Sequence, residues 1–231
     1  MEGPTPEEAG LRSGTVAEPG RRERRRLELR EAVLVASEAE LRTRGAGGFA
    51  VERVAAAADV AVQTVYNHFG GRDGLLLALA ERAVGVDRAA MSPAYDAVGS
   101  PEDRVRAAAE AYVGFGLAHP EHFRLLAFPP GPPHGSAQGT VGAAKETSQR
   151  VAVAVRAQNA RLAGALHDGA QEGRLRAVDP GRAATLLWAA LNGLVALSWR
   201  ADDLRTTPQQ TEELLELLVD LLEHGLVAPG A

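Results

Sequence analysis

Residues 49–76 read FAVERVAAAADVAVQTVYNHFGGRDGLL, and the periodicity inside this stretch decides the fold. Val51, Val54, Ala55 and Ala58 recur at the i, i+3, i+4, i+7 spacing of one apolar helix face. After the short connection Asp59-Val60-Ala61 a second stripe follows, formed by Val62, Val65, Tyr66 and Phe69, because each residue turns a helix by about 100°. Gln63, Thr64, Asn67 and His68 face the other way. Two short helices so joined read as a helix-turn-helix.

The outward face of the second helix carries the chemistry. Gln and Asn side chains each bridge N6 and N7 of adenine in the major groove, Thr bonds a base edge or touches a thymine methyl, and His reaches a base or a phosphate. Such a set on one helix suits base reading. The plainer alternative is a solvated helix face, which needs no function.

The run Val65-Tyr66-Asn67-His68-Phe69, followed by Gly70-Gly71-Arg72-Asp73-Gly74-Leu75, resembles the signature of the TetR (tetracycline repressor) family over about Leu29 to Leu79. In that family the "YxHF" element closes the recognition helix, and a basic residue, an acid and Leu open the next one. The resemblance implies that Tyr66 and Arg72 grip backbone phosphates, which set register while base contacts set sequence. It also implies an all-α fold of about nine helices, with an N-terminal tri-helical helix-turn-helix domain and a helical C-terminal domain for ligand binding and dimerisation. Three positions depart from the pattern. Ala50 and Ala61 replace the family's usual Thr and Ser at the two helix starts, and Ala as an N-cap costs roughly 0.5–2 kcal/mol. Asp59 stands where the turn often has Gly.

A net charge of −5 and a pI near 5.7 argue against coating of nucleic acid by the whole surface. The charge is uneven, however. Between Arg21 and Arg72 ten arginines face seven acids, so this segment is about +3. Five of those arginines fall within Arg21–Arg26, an arm able to neutralise phosphates or enter a narrow minor groove. A charged, solvated helix start is the alternative. The expected DNA-contacting set is therefore Gln63, Thr64, Asn67 and His68 for bases, Tyr66 and Arg72 for phosphates, Arg22 and Arg25 in the arm, and Val51 at the start of the first short helix.

With no cysteine, disulfides, thiolate metal sites and cysteine nucleophiles are excluded. The first twenty residues are acidic and rich in Pro and Gly, lack the apolar core of a secretory signal, and are expected to be disordered. The expected location is the cytoplasm. The chain thus divides into a tail over 1–20, a helix-turn-helix domain over 21–74 and a C-terminal domain over 75–228.

The first helix is expected from about Glu23 to Arg44, ending at Gly45, with Glu38 and Glu40 loosening its packing. The fourth should run from Arg72 to about Ala90, leaving Ser92–Gly99 as a loop, and the resemblance makes it the mechanical link between DNA and ligand domain. Ser100-Pro101-Glu102-Asp103 is a capped start for a fifth helix reaching about Ala118. His119-Pro120 breaks it before a short helix over Glu121–Phe128. Pro129–Thr140 is the strongest loop signal, a candidate gate for a pocket.

Further helices are expected over Val141–Glu172, from Asp179-Pro180 to about Ala201, and from Thr207-Pro208 to about His224. Ala183–Trp199 is apolar nearly all round, but Thr185, Asn192 and Ser198 interrupt it, so burial between a core and a partner subunit suits it better than a membrane span. The last two helices resemble the pair that forms a four-helix dimer interface in the family; an intramolecular bundle is the alternative. Trp188-Ala189-Ala190-Leu191-Asn192-Gly193 resembles the WxxLHG motif of WHG-type C-terminal domains, with Asn192 in place of His.

An apolar pocket with few polar groups would draw its wall from Tyr112, Phe115, Phe123, Phe128, His167, Trp188 and Asn192, with His119 a further candidate; plain core packing is the alternative for each. The lack of Arg or Lys among these positions favours an uncharged or weakly polar ligand over a phosphorylated one. His119 and His122 have i, i+3 spacing, yet Pro120 lies between them and no third metal ligand is evident. No cofactor is expected. The sequence contains no Ser-His-Asp arrangement and no phosphate-binding glycine loop, so catalysis is not expected either. The reading is a homodimeric repressor that a small, largely apolar effector releases from a pseudo-palindromic operator. Its rivals are the same fold answering to a protein partner, and a helical small-molecule-binding protein that does not touch DNA.

Overall fold

A computed structural model describes residues 20–129 and 138–226, with the side chains of 138–144 and 222–226 left out. Nearly all of the expected tail and most of the expected 129–140 loop lie outside the described residues. Among those residues the chain forms nine helices and no strand.

Helix α1 (Arg21–Gly48) buries Val33, Leu34, Ala36, Ser37 and Leu41 on one side. The hydroxyl of Ser37 donates to the carbonyl of Val33 at 2.7 Å, so this buried polar group is satisfied. Gly45, at φ 62°, breaks the helix where its C-terminus was expected, and the chain turns on to Gly48. Helices α2 (Val51–Ala57) and α3 (Val62–Phe69) follow, both without a side-chain cap, as Ala50 and Ala61 dictate. Asp59 takes a left-handed φ of 53° in the turn between them, a conformation that short polar side chains tolerate. Phe49, Val54, Val65, Phe69, Leu75 and Leu79 close one apolar core around the three helices.

Helix α4 (Arg72–Asp96) runs beyond its expected end and corrects the loop expected at Ser92–Gly99. Pro93 sits inside it and removes a backbone hydrogen bond. Met91 and Ala94 nevertheless bury themselves against Ala108 of α5 (Pro101–Ala118), and that packing holds the last turn in place. Ser100 and Asp103 form the expected capping box on α5. Helix α6 (Pro120–Ala127) follows the His119-Pro120 break. Then come α7 (Gln138–Gln171), α8 (Pro180–Leu197) and α9 (Pro208–Leu226). Gly173 (φ 71°) follows α7, and Asp179 caps α8 by accepting from the Arg182 amide at 2.7 Å.

Helix α4 is the spine. It leaves the helix-turn-helix unit at Arg72, passes α1 and α6, and ends packed between α5 and α7. On the far side, α8 buries Ala184, Leu187, Leu191, Leu194 and Val195 but leaves Leu186 70% exposed. Helix α9 buries Leu215 and Val219 while Leu214, Leu217 and Leu221 face outward. Among the described residues no helix is long and apolar enough to cross a membrane.

Candidate nucleic-acid interface and ligand cavity

The inward side of α3 is a narrow seam of Val65 and Phe69, with Val62 half-buried beside it. Tyr66, expected on that seam, is 44% exposed instead. Its ring lies over Gly71, where an added Cβ would stand 2.9 Å from Tyr66 Cε1. Gly71 has φ 100°, so a side chain is excluded there both by the backbone and by the ring. The exposed ring therefore lies against the start of α4.

Gln63 and Asn67 stand exposed one turn apart, and the Gln63 amide donates to Asn67 Oδ1 at 3.0 Å. This bond leaves the Gln63 carbonyl and the Asn67 amide available as an adjacent acceptor and donor, the pattern that complements adenine N6 and N7. Thr64 and His68 flank them half-buried. Arg72 is exposed while its guanidinium donates to the Ala46 carbonyl and pairs with Asp73 at 3.3 Å, which fixes the cation between α1 and α4. Arg22 and Arg25 are exposed on the first turns of α1. Val51 needs correcting: at 4% exposure its side chain belongs to the core, since it continues the stripe of Val54 and Ala55.

Glu38 and Glu40 do not loosen α1. Glu40 accepts from Arg53 Nε at 2.7 Å, and this guanidinium holds its carboxyl below the usual range. Arg82 of α4 pairs with Glu31 at 2.7 Å and with Glu38 at 2.8 Å. His122 of α6 approaches the same Glu38 oxygen at 3.8 Å; burial pushes the imidazole down while Glu38 opposes the shift. The acids at apolar positions are thus ties from the reading unit to α2, α4 and α6. His119 and His122 have ring centroids 5.9 Å apart, and among the described residues no group of three metal-ligating side chains forms.

A cavity of about 90 Å³ lies between α4, α5, α7, α8 and α9, walled mainly by Met91, Val105, Leu162, Leu187, Leu191 and Leu218. Of the expected wall residues, Tyr112 and Trp188 line it. Trp188 Nε1 donates to the Tyr112 hydroxyl at 2.8 Å, and that hydroxyl donates to Asn192 Oδ1 at 3.1 Å, so Asn192 positions the wall from behind. Burial pushes the Tyr112 phenol up. The others are corrected. Phe115 and Phe123 are buried and stack on each other at 6.1 Å, Phe123 also meeting the Trp199 ring edge-on, outside the cavity wall. Phe128 is 67% exposed after α6, and His167 is exposed on the outer side of α7. His119, too, is exposed.

Sequence reasoning missed Asp87, Tyr95 and Gln158. Asp87 is only 8% exposed on the cavity wall. Its Oδ2 accepts from the Gln158 amide at 3.2 Å, its Oδ1 has no hydrogen-bond partner, and burial pushes the carboxyl up. Tyr95, over whose ring Arg161 lies at 4.6 Å, is pushed up to about 12 by burial. A signal was available: Ala83, Asp87 and Met91 follow one another at four-residue steps, so an acid interrupts the buried stripe of α4.

A helix-turn-helix head on a helical body with an internal cavity defines a class of DNA-binding regulator. The family model described as "Bacterial regulatory proteins, tetR family" matches residues 33–79, and "Tetracyclin repressor-like, C-terminal domain" matches residues 105–222. The chain belongs to the TetR family of DNA-binding transcription regulators.

Among solved structures, a protein of unknown function from Rhodococcus sp. RHA1 is similar at 27% identity, over 86% of this chain and 95% of that one, with a TM-score of 0.65. A transcriptional regulator of the TetR/AcrR family from Thermobifida fusca YX-ER1 is 18% identical, over 86% and 98%, with a TM-score of 0.61. AibR, solved in complex with isovaleryl coenzyme A and operator DNA, is 18% identical over 84% and 97%, with a TM-score of 0.57. The last two show likeness of fold. No curated protein matches significantly.

Proposed function

We propose that the protein is a homodimeric repressor that holds a pseudo-palindromic operator with two copies of α3 and is released when a small, largely apolar effector fills the cavity. The observation that carries this reading is the course of α4. Its first residue, Arg72, adjoins the recognition helix, and its middle, at Asp87 and Met91, walls the cavity. An occupant that prefers one setting of α4 therefore biases the head, and only its difference in affinity between the two settings does so.

The exposed Leu186, Leu214, Leu217 and Leu221 supply α8 and α9 with an apolar face of the kind a two-fold interface buries. A two-fold axis then repeats α3 at the second half-site. That AibR was solved with a coenzyme A thioester and operator DNA supports the idea that this fold accommodates both. The cavity counts against a protein partner in the effector's place, and the outward Gln63–Asn67 pair counts against a protein that ignores DNA. We read the protein as a cytoplasmic regulator without catalytic activity.

The test is an operator selected from random sequence. Gln63→Ala and Asn67→Ala should each weaken binding by roughly 1–3 kcal/mol per lost base contact and relax specificity at the bases they read. Unaltered binding by both variants would remove α3 as the reader. A strictly monomeric particle in sedimentation would remove the two-fold geometry.

A further inference from the structure

Asp87 is a carboxyl left incomplete by its own protein. With Oδ2 accepting from Gln158, a proton on the carboxyl belongs on Oδ1, where no acceptor meets it. If the group is ionised instead, a buried negative charge lacks a counter-charge. Neither state is satisfied from within. The nearby ions are engaged elsewhere: Glu102 at the cavity edge pairs with Arg174 at 2.8 Å, and Arg161 pairs with Asp96 at 2.5 Å. Arg106, also at the edge, is exposed and has other interactions.

The remaining wall favours positive charge as well. The rings of Tyr112 and Trp188 share the cavity with Asp87, and aromatic rings attract cations through their quadrupoles; the ring of Tyr95, also on the wall, already carries Arg161. We propose that the cavity takes an apolar molecule bearing a protonated amine, whose N–H donates to Asp87 Oδ1 while its hydrocarbon body lies against Met91, Leu162 and Leu187. This rests on the reading of the cavity as the effector site and adds the charge of the occupant. A charge-assisted hydrogen bond in a low-dielectric wall discriminates strongly between an ammonium and a hydroxyl of the same shape.

The experiment measures calorimetric binding of phenylbutylamine, phenylbutanol and phenylbutyrate to the full-length protein and to Asp87→Asn. The expected result is that the wild type binds the amine about tenfold or more tighter than the alcohol, a preference of about 1.4 kcal/mol, and the acid least. Asp87→Asn should erase the preference and leave the alcohol nearly unchanged. Equal binding of amine and alcohol, or tightest binding of the acid, overturns the amine while leaving the cavity as a ligand site. Binding of none of the three overturns both readings. The ranking on the wild type stands whether or not the variant folds.

Discussion

Around Val65 and Leu79 the reading head is filled to contact, and a Cβ added to Gly74 would lie 1.6 Å from the Phe69 carbonyl oxygen. About 12 to 18 Å beyond Leu79 along the same helix, at Asp87 and Met91, the wall opens on a cavity whose buried acid has one oxygen without a hydrogen-bond partner. In the function proposed above the head gains nothing by yielding, because α3 would have to present Gln63 and Asn67 in a fixed relation to each other. The body has to yield if an occupant is to be felt. One continuous α4 serves both, so the contrast arises from what packs on it and not from its own regularity.

Breaking the head should give the largest effect. Gly74→Ala forces α4 off the end of α3, with an expected loss of about 3 kcal/mol and of operator binding, read by thermal melting and gel shift. Matched deletions sharpen the comparison. Leu79→Ala, in the close-packed head, should cost roughly 3–4 kcal/mol, whereas Met91→Ala, which enlarges an existing void, should cost about 2 kcal/mol in denaturant titration. Equal losses would mean that the two interiors are packed alike.

Asp87 supplies a smaller effect with a definite sign. Burial raises its folded-state pKa above the unfolded value, so its contribution to stability is greatest below the unfolded pKa and is lost as pH rises through the folded one. Asp87→Asn should therefore melt a few degrees above the wild type at neutral pH, with the gap closing toward pH ~4. A gap independent of pH would mean that Asp87 is ionised as readily as an exposed carboxyl. Least of all, Arg82→Met should cost under about 1 kcal/mol, since the pairs are partly exposed. Its readout is a weaker response of operator binding to the amine probe.

The head was legible because its side chains report themselves by period: Val51, Val54, Val65 and Phe69 are spaced for burial, and Gln63 and Asn67 lie opposite. Tyr66 was misplaced because a narrow seam leaves its fourth member at the rim, where the Gly71 backbone takes the ring. The cavity was only half legible. Tyr112 and Trp188 line it, but Phe115 and Phe123 are equally apolar and went to solid core, a choice made by neighbours from distant helices. Asp87 was passed over because a single acid in a long helix reads as solvated until the helix is known to be covered on that side. The last turns of α4 were missed for a related reason, as Pro93 signals a break that burial of Met91 and Ala94 overrides.

Arg82 reaches from α4 to Glu31 and Glu38, which stand two turns apart along α1. A guanidinium clasping two anchors so placed resists sliding, because slippage by one turn in either direction would strand one of the two carboxylates. It still allows pivoting about the clasp. In the proposed dimer, movement passed down from the body would then swing both heads as rigid pieces, altering the span between half-sites while each keeps its own alignment with the bases.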